Sequence, residues 1–215
     1  MFATSRTLAS SLSWGMSELV RNTRVMTKLQ REVREAFWGT AVVAEAELLA
    51  TASRRLPYLR LVVKETLRLH PPVPLLVPRE SVDVCEIDGY TIQARSRVVF
   101  NAWAIGRDGE YWGDDADEFR PERFEESKVD FTGSSYEYLP FGAGRRMCPA
   151  IAYVLVAVEM ALVQLLYHFD WSLPEGVDEV DMAEAPGLGV QRKSPLLLSA
   201  TPFDHSPKST PSAYN

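Results

Sequence analysis

A single thiol stands in the run Phe141-Gly-Ala-Gly-Arg-Arg-Met-Cys148-Pro149, spaced as Phe-x-x-Gly-x-Arg-x-Cys. It sits on a glycine-containing loop with two arginines upstream and an apolar helix-forming stretch downstream. A thiolate held there can bind iron strongly while its negative charge is offset locally. A lone cysteine is ordinarily a small buried hydrophobe; the spacing sets Cys148 apart. The second chemically suggestive pair is Glu65 and Arg68, three apart in a helical pattern and so on one face. Alone, such a pair is an exposed ion pair worth roughly a few tenths of a kcal/mol.

The elements that must hold these groups follow from periodicity. Residues 1–17 carry Ser or Thr at seven positions, one Arg and no acid, a composition like that of a transit peptide. Leu8, Leu12, Trp14 and Leu19 instead predict a helix to about Arg21. Val25, Leu29, Val33 and Phe37 at four-residue spacing predict a second helix. Residues 38–55 are Ala-rich and poorly patterned, a connection with some helix. Pro57 opens a third helix with Leu59, Val62, Val63, Leu67 and Leu69 as its apolar stripe, and Pro71-Pro72 ends it. Val84–Ile87, Asp88-Gly89 and Tyr90–Ile92 read as a hairpin with a two-residue turn, and Val98–Ala102 as a further strand. The stretch 108–140 reads as an irregular packed meander. Residues 151–169 form the most apolar stretch, long enough to span a membrane, but Glu159 at its middle favours a helix buried in protein. Val190–Leu198 reads as a last hairpin, and residues 204–215 as a disordered tail.

At 215 residues, 46% of them hydrophobic, the chain can bury a core as one domain. The net charge of −6 and the lack of a basic stripe argue against nucleic acid as a partner. Two cysteines, Cys85 and Cys148, lie too far apart in sequence to suggest a zinc site or a disulfide framework. Thiolate chemistry at Cys148 requires that the two are not bridged.

The cysteine loop resembles the haem-binding loop of the cytochromes P-450, the haem-thiolate monooxygenases. Glu65-Thr-Leu-Arg68, followed by His70-Pro71-Pro72, resembles the family's Glu-x-x-Arg on its K helix. Pro121-Glu122-Arg123-Phe124 is similar to the segment that precedes the haem loop. Asn101-Ala-Trp-Ala-Ile-Gly-Arg107-Asp108 resembles the plant microsomal branch. The likeness runs from about the start of the chain to Phe203, but only to the C-terminal part of family members, which are more than twice as long. It implies a mainly α fold with small β hairpins, from the end of the I helix through the L helix and last hairpin: a partial domain over residues 1–203. The N-terminal membrane anchor, the distal helices and most of the substrate pocket lie outside the part it resembles.

The resemblance assigns roles. Cys148 is the iron ligand of haem b, with Gly144 letting backbone N–H groups approach the sulfur and Phe141 shielding the thiolate side. Arg146 and Arg79 are candidates for the haem propionates, since guanidinium stays charged and donates in a planar fork. Glu65, Arg68 and Arg123 form a buried structural network. Val73, Leu75, Leu76, Val77, Leu188 and Val190 contribute to a substrate pocket. The implied activity is insertion of one oxygen atom of O2 into a lipophilic small molecule. Electrons come from NADPH through NADPH–cytochrome P-450 reductase, at the cytosolic face of the endoplasmic reticulum membrane.

The distal side departs from the family. Members carry Ala/Gly-Gly-x-Asp/Glu-Thr-Ser/Thr, where alcohol and acid deliver protons. Aligned back from Trp14, this chain reads Ala3-Thr4-Ser5-Arg6-Thr7-Leu8. Thr7 keeps the catalytic alcohol, Arg6 stands where the acid would be, and Thr4 where the glycine would be. A positioned acid contributes roughly 10²–10⁴-fold. The alternative reading is therefore a truncated, non-catalytic remnant that keeps the cysteine side and lacks the distal half of the pocket.

Overall fold

The computed structural model describes residues 2–40, 43–44, 46 and 55–205. Its helices are α1 (Phe2–Arg21), α2 (Thr23–Ala36), α3 (Pro57–Leu69), the short α4 (Ala102–Ile105) and α5 (Gly109–Trp112), and α6 (Ile151–His168). The strands are β1 (Arg79–Glu80), β2 (Cys85–Ile87), β3 (Tyr90–Ile92), β4 (Arg97–Val98), β5 (Phe169–Ser172), β6 (Glu184–Ala185), β7 (Gln191–Arg192) and β8 (Ser199–Pro202). They pair antiparallel as β1–β4, β2–β3, β5–β8 and β6–β7.

The four long helices build the core. Val25, Leu29, Val33 and Phe37 are all buried, as their spacing requires, and α2 packs on α3 and α6. Helix α3 starts at Pro57 without a cap from its own neighbours. The Glu32 carboxylate of α2 serves instead, accepting the backbone N–H groups of Tyr58 at 2.8 Å and Leu59 at 2.9 Å. Val154, Val158, Leu162 and Leu166 of α6 face the core, yet only a third of that helix is buried. Burial also raises the Glu159 carboxyl above the ordinary range.

The Glu65–Arg68 pair is not at the surface. Both side chains have 0% exposure, joined by bonds of 2.7 and 2.9 Å. Arg123 donates to the same carboxylate at 2.8 Å, and the backbone N–H of Arg120 does so at 2.8 Å. The two guanidinium groups also donate to backbone carbonyls along 106–118: Arg68 to Gly106, Ala116 and Glu118, Arg123 to Trp112, Asp115 and Glu118. Side chains thus satisfy a backbone that has little regular structure of its own. Gly106 must stay small, because a Cβ there would lie 2.5 Å from the Arg68 carbonyl oxygen.

The hairpin at 85–92 has Asp88 at φ 54° and Gly89 at φ 80°, the left-handed pair that a two-residue turn demands. Two strand expectations need correction. The strand expected over Val98–Ala102 stops at Val98, because the Asn101 side chain accepts the Ala104 N–H at 3.0 Å and caps α4 from Ala102. Val190–Leu198 does not fold on itself. Within it, only Gln191–Arg192 is a strand, pairing back to Glu184–Ala185; Ser199–Pro202, just beyond it, pairs with Phe169–Ser172. Asp204 and His205, placed in the tail, are described: His205 stacks on Tyr167 with ring centroids 4.1 Å apart. Residues 206–215 and most of 41–54 lie outside the described residues.

Candidate cofactor site

The cysteine loop is built by two tight reversals. Gly142, at φ 72°, and Gly144, at φ 67°, occupy left-handed conformations that cost glycine little. Residues Gly144–Arg146 make one 3₁₀ turn, and the backbone N–H of Cys148 donates to the Phe141 carbonyl at 3.0 Å. That bond closes the loop and fixes the thiol three residues before α6. Cys148 is half-buried and Cys85 exposed, and both are free thiols.

Cys148 borders a cavity of about 320 Å³. Phe141, Gly142, Met147, Pro149 and Ala150 complete the loop side of its wall, with Arg79 and Arg146 among the lining residues. Across it stand Thr7 and Ser11 of α1, Leu67 of α3, and Pro72, Val73, Leu76 and Val77 after α3. Arg79 donates to the Arg146 carbonyl at 3.0 Å, tying β1 to the cysteine loop. Phe141 meets Phe131 edge-on at 5.7 Å between centroids.

The structure brings Thr7, Arg79, Phe141, Arg146 and Cys148 to one cavity. Gly144 shapes the loop but is absent from the lining; Gly142 takes the close position, with Leu76 Cδ1 3.7 Å from where its Cβ would stand. Of the expected pocket residues, Val73, Leu76 and Val77 line the cavity, and Leu75, Leu188 and Val190 do not. Leu75 is 48% and Leu188 67% exposed. The left-handed backbone at Leu76, φ 51°, turns that side chain inward and Leu75 out. Val190 is occupied in docking its hairpin: its N–H donates to Pro72 O at 3.1 Å and its carbonyl accepts from Ser10. Sequence reasoning missed Ser11 and Val154, although each repeats a cavity residue, Thr7 and Ala150, one helical turn on.

The donor set suits a particular kind of ligand. Among the described residues no group of three or more His, Cys, Asp or Glu gathers to hold a metal ion. A metal at Cys148 must therefore arrive in its own ligand frame. Apolar walls, two guanidinium groups and one thiol fit a flat apolar macrocycle that carries carboxylates and a thiophilic metal. Haem meets each of those requirements.

Comparison with known proteins agrees with that chemistry. The sequence profile of the cytochrome P450 family matches residues 1–199. The chain is 52% identical over 209 residues to premnaspirodiene oxygenase of Hyoscyamus muticus, covering 96% of this chain and 40% of that protein. It is 49% identical over 209 residues to 5-epiaristolochene 1,3-dihydroxylase of Nicotiana tabacum, with the same coverage of 96% and 40%. A solved zebrafish cytochrome P450, in a structure with abiraterone, superposes with a TM-score of 0.80 at 26% identity, over 92% of this chain and 44% of that one. The chain thus spans about 40% of the length of the curated relatives it matches.

Proposed function

The chain belongs to the cytochrome P450 family, and on that premise we propose that it supplies the thiolate wall of a haem monooxygenase. The reaction is insertion of one oxygen atom of O2 into a lipophilic small molecule, with electrons from NADPH through a cytochrome P450 reductase. The setting is the cytosolic face of the endoplasmic reticulum. The names of the relatives, an oxygenase and a dihydroxylase, support oxygen insertion.

When bound, haem supplies the redox chemistry that activates dioxygen. The chain's own residues do the rest. Cys148 would hold the haem iron through Sγ, its backbone kept in place by the bond to Phe141. Arg79 and Arg146 would hold the propionates, and the bond from Arg79 to the Arg146 carbonyl keeps one cation beside the cysteine loop. Leu67, Val73, Leu76 and Val154 exclude water from the cavity. Thr7 holds a proton at Oγ1 on the wall formed by α1. The observation that carries this reading is that Thr7, Arg79, Arg146 and Cys148, spread over more than half of the chain, line one cavity.

The test is the reduced carbon monoxide complex of the chain after haem is added. A red-shifted Soret band is expected from the unmutated chain and from Cys85→Ser, and none from Cys148→Ser. Equal loss in both variants would refute thiolate ligation by Cys148. One observation favours the second reading, a remnant without activity: only a third of the largely apolar α6 is buried, and Tyr153 is 63% exposed. Stoichiometric haem retention with steady product formation would eliminate it.

A further inference from the structure

Helices α1 and α3 approach closely at Gly15, where a Cβ would lie 3.6 Å from both Cγ2 and Oγ1 of Thr66. Beside that approach the His70 ring lies flat on the Trp14 ring, with centroids 4.4 Å apart and planes within 1°. His70 Nε2 is also 2.8 Å from Glu18 Oε1, one turn further along α1. The stack fixes the tilt of the imidazole, and the contact with Glu18 fixes its rotation in the plane. Trp14, Glu18 and His70 are all buried.

Both partners of the stack lead directly into the cavity walls. Ser11 and Thr7 precede Trp14 by three and seven residues, so they share its face of α1, and both line the cavity. His70 caps α3, its backbone N–H donating to the Thr66 carbonyl at 2.8 Å, and Pro71-Pro72 follows at once. Each proline ring fixes its own φ and restricts the residue before it. The orientation of His70 is therefore handed on with little slack to Pro72 and Val73, which stand in the wall facing α1. Three backbone bonds then hold that wall. The N–H groups of Leu76, Trp103 and Val190 donate to the carbonyls of Val73, Pro74 and Pro72 at 3.0, 3.1 and 3.1 Å.

Strand β7 closes the assembly. Arg192 lies over the Trp14 ring at 5.4 Å and donates to Ser17 Oγ at 2.7 Å, while Ser10 Oγ donates to the Val190 carbonyl. Trp14 thus stands where α1, the end of α3 and β7 converge. Its Nε1 is buried without an acceptor, so what the indole contributes is its flat face.

We infer that Trp14 and His70 are positioning residues of the cofactor cavity. Their stack sets the spacing between the α1 wall and the Pro72–Val77 wall, and Glu18 keeps the imidazole in place. Neither ring lines the cavity; both act through the residues that do. The inference concerns the site of the haem reading above and rests on it.

The first measurement needs no haem: amide hydrogen exchange of the full chain, compared among the unmutated protein, Trp14→Leu and Trp14→Phe. Leucine keeps apolar bulk without a plate, whereas phenylalanine restores a plate. In Trp14→Leu the Leu76, Trp103 and Val190 amides should exchange about 10-fold faster relative to those inside α2, the scale of one lost aromatic pair. Trp14→Phe should return them to the unmutated ratio. A uniform rise across α2 and the wall, or no rise at all, overturns the inference, since general destabilisation moves every amide alike. Should Trp14→Leu fail to fold, His70→Gln takes its place, with the same selective loosening expected and its absence equally fatal. The second measurement follows transfer of haem from the loaded chain to apomyoglobin. Release should be about 10-fold faster in Trp14→Leu and unchanged in Trp14→Phe, with the carbon monoxide band at one position in all three. Equal release in Trp14→Leu and the unmutated chain sinks the positioning role. Absence of that band in the unmutated chain strikes only the haem reading, and amide exchange then decides.

Discussion

Replacing Glu65 with Ala removes one carboxylate from between two buried cations, and the size of the effect can be worked from the contacts. Four donors lose their acceptor: Arg68 Nε at 2.7 Å, Arg68 Nη2 at 2.9 Å, Arg123 Nε at 2.8 Å and the Arg120 backbone N–H at 2.8 Å. Arg68 and Arg123 have side-chain exposures of 0% and 4%, so water cannot replace what is lost. Breaking a buried pair by deleting one partner costs about 3–5 kcal/mol. Asp115, 3.2 Å from Arg123, still compensates that cation, while Arg68 keeps only carbonyl acceptors; about 4 kcal/mol is the expected loss. For a chain of this size that lowers the melting temperature by roughly 10 °C. Urea unfolding followed by tryptophan fluorescence reads it directly, because Trp112 is buried and its carbonyl accepts from Arg123. A loss below about 1 kcal/mol with an unchanged denaturant slope would mean that the network is effectively solvated, and the argument fails.

Three further outcomes are expected. Burial opposes ionisation of Glu122, but bonds from Arg24, Tyr58 and Lys28 outweigh it and hold the carboxyl down at about 2. Its contribution to stability is therefore complete above the unfolded value near 4.5 and is lost as pH falls from there toward 2. Glu122→Gln should flatten the stability-versus-pH curve in that window, and an unchanged curve would assign the acid sensitivity elsewhere. Gly106→Ala should destabilise by about 1–3 kcal/mol in thermal melts, since the added carbon meets rigid backbone at the end of α3. Tyr138→Phe deletes a buried hydroxyl that donates to the Lys64 carbonyl at 2.8 Å, with an expected cost of about 1–2 kcal/mol by urea titration.

What could be read from sequence was whatever depends on local spacing. The four-residue rhythm of Val25, Leu29, Val33 and Phe37 specifies a buried helix face, and Asp88-Gly89 specifies its turn. That Cys148, Arg146 and Thr7 belong together was legible because they lie in short recognisable segments, and all three line one cavity. What escaped depends on backbone detail or on remote pairing. Periodicity cannot tell Leu75 from Leu76; a left-handed residue decides which enters the cavity. The stretch from Val190 to Leu198 looked like one hairpin, but only Gln191–Arg192 within it is a strand, and its partner, Glu184–Ala185, lies before the stretch. The Glu18–His70 contact joins residues 52 apart, and neither motif announces the other.

Helix α1 and the β6–β7 hairpin are stitched together by Arg6 to Gln191, Ser10 to Val190 and Arg192 to Ser17, over separations of 185, 180 and 175 residues. Contacts so remote form late, because the entropy of closing so long a loop must be met first. A ribosome therefore releases α1 well before its stitching partner exists. During that interval the side of the helix bearing Arg6, Ser10 and Ser17 has no cover from the hairpin, and slow translation of the intervening stretch would lengthen the nascent chain's dependence on chaperones.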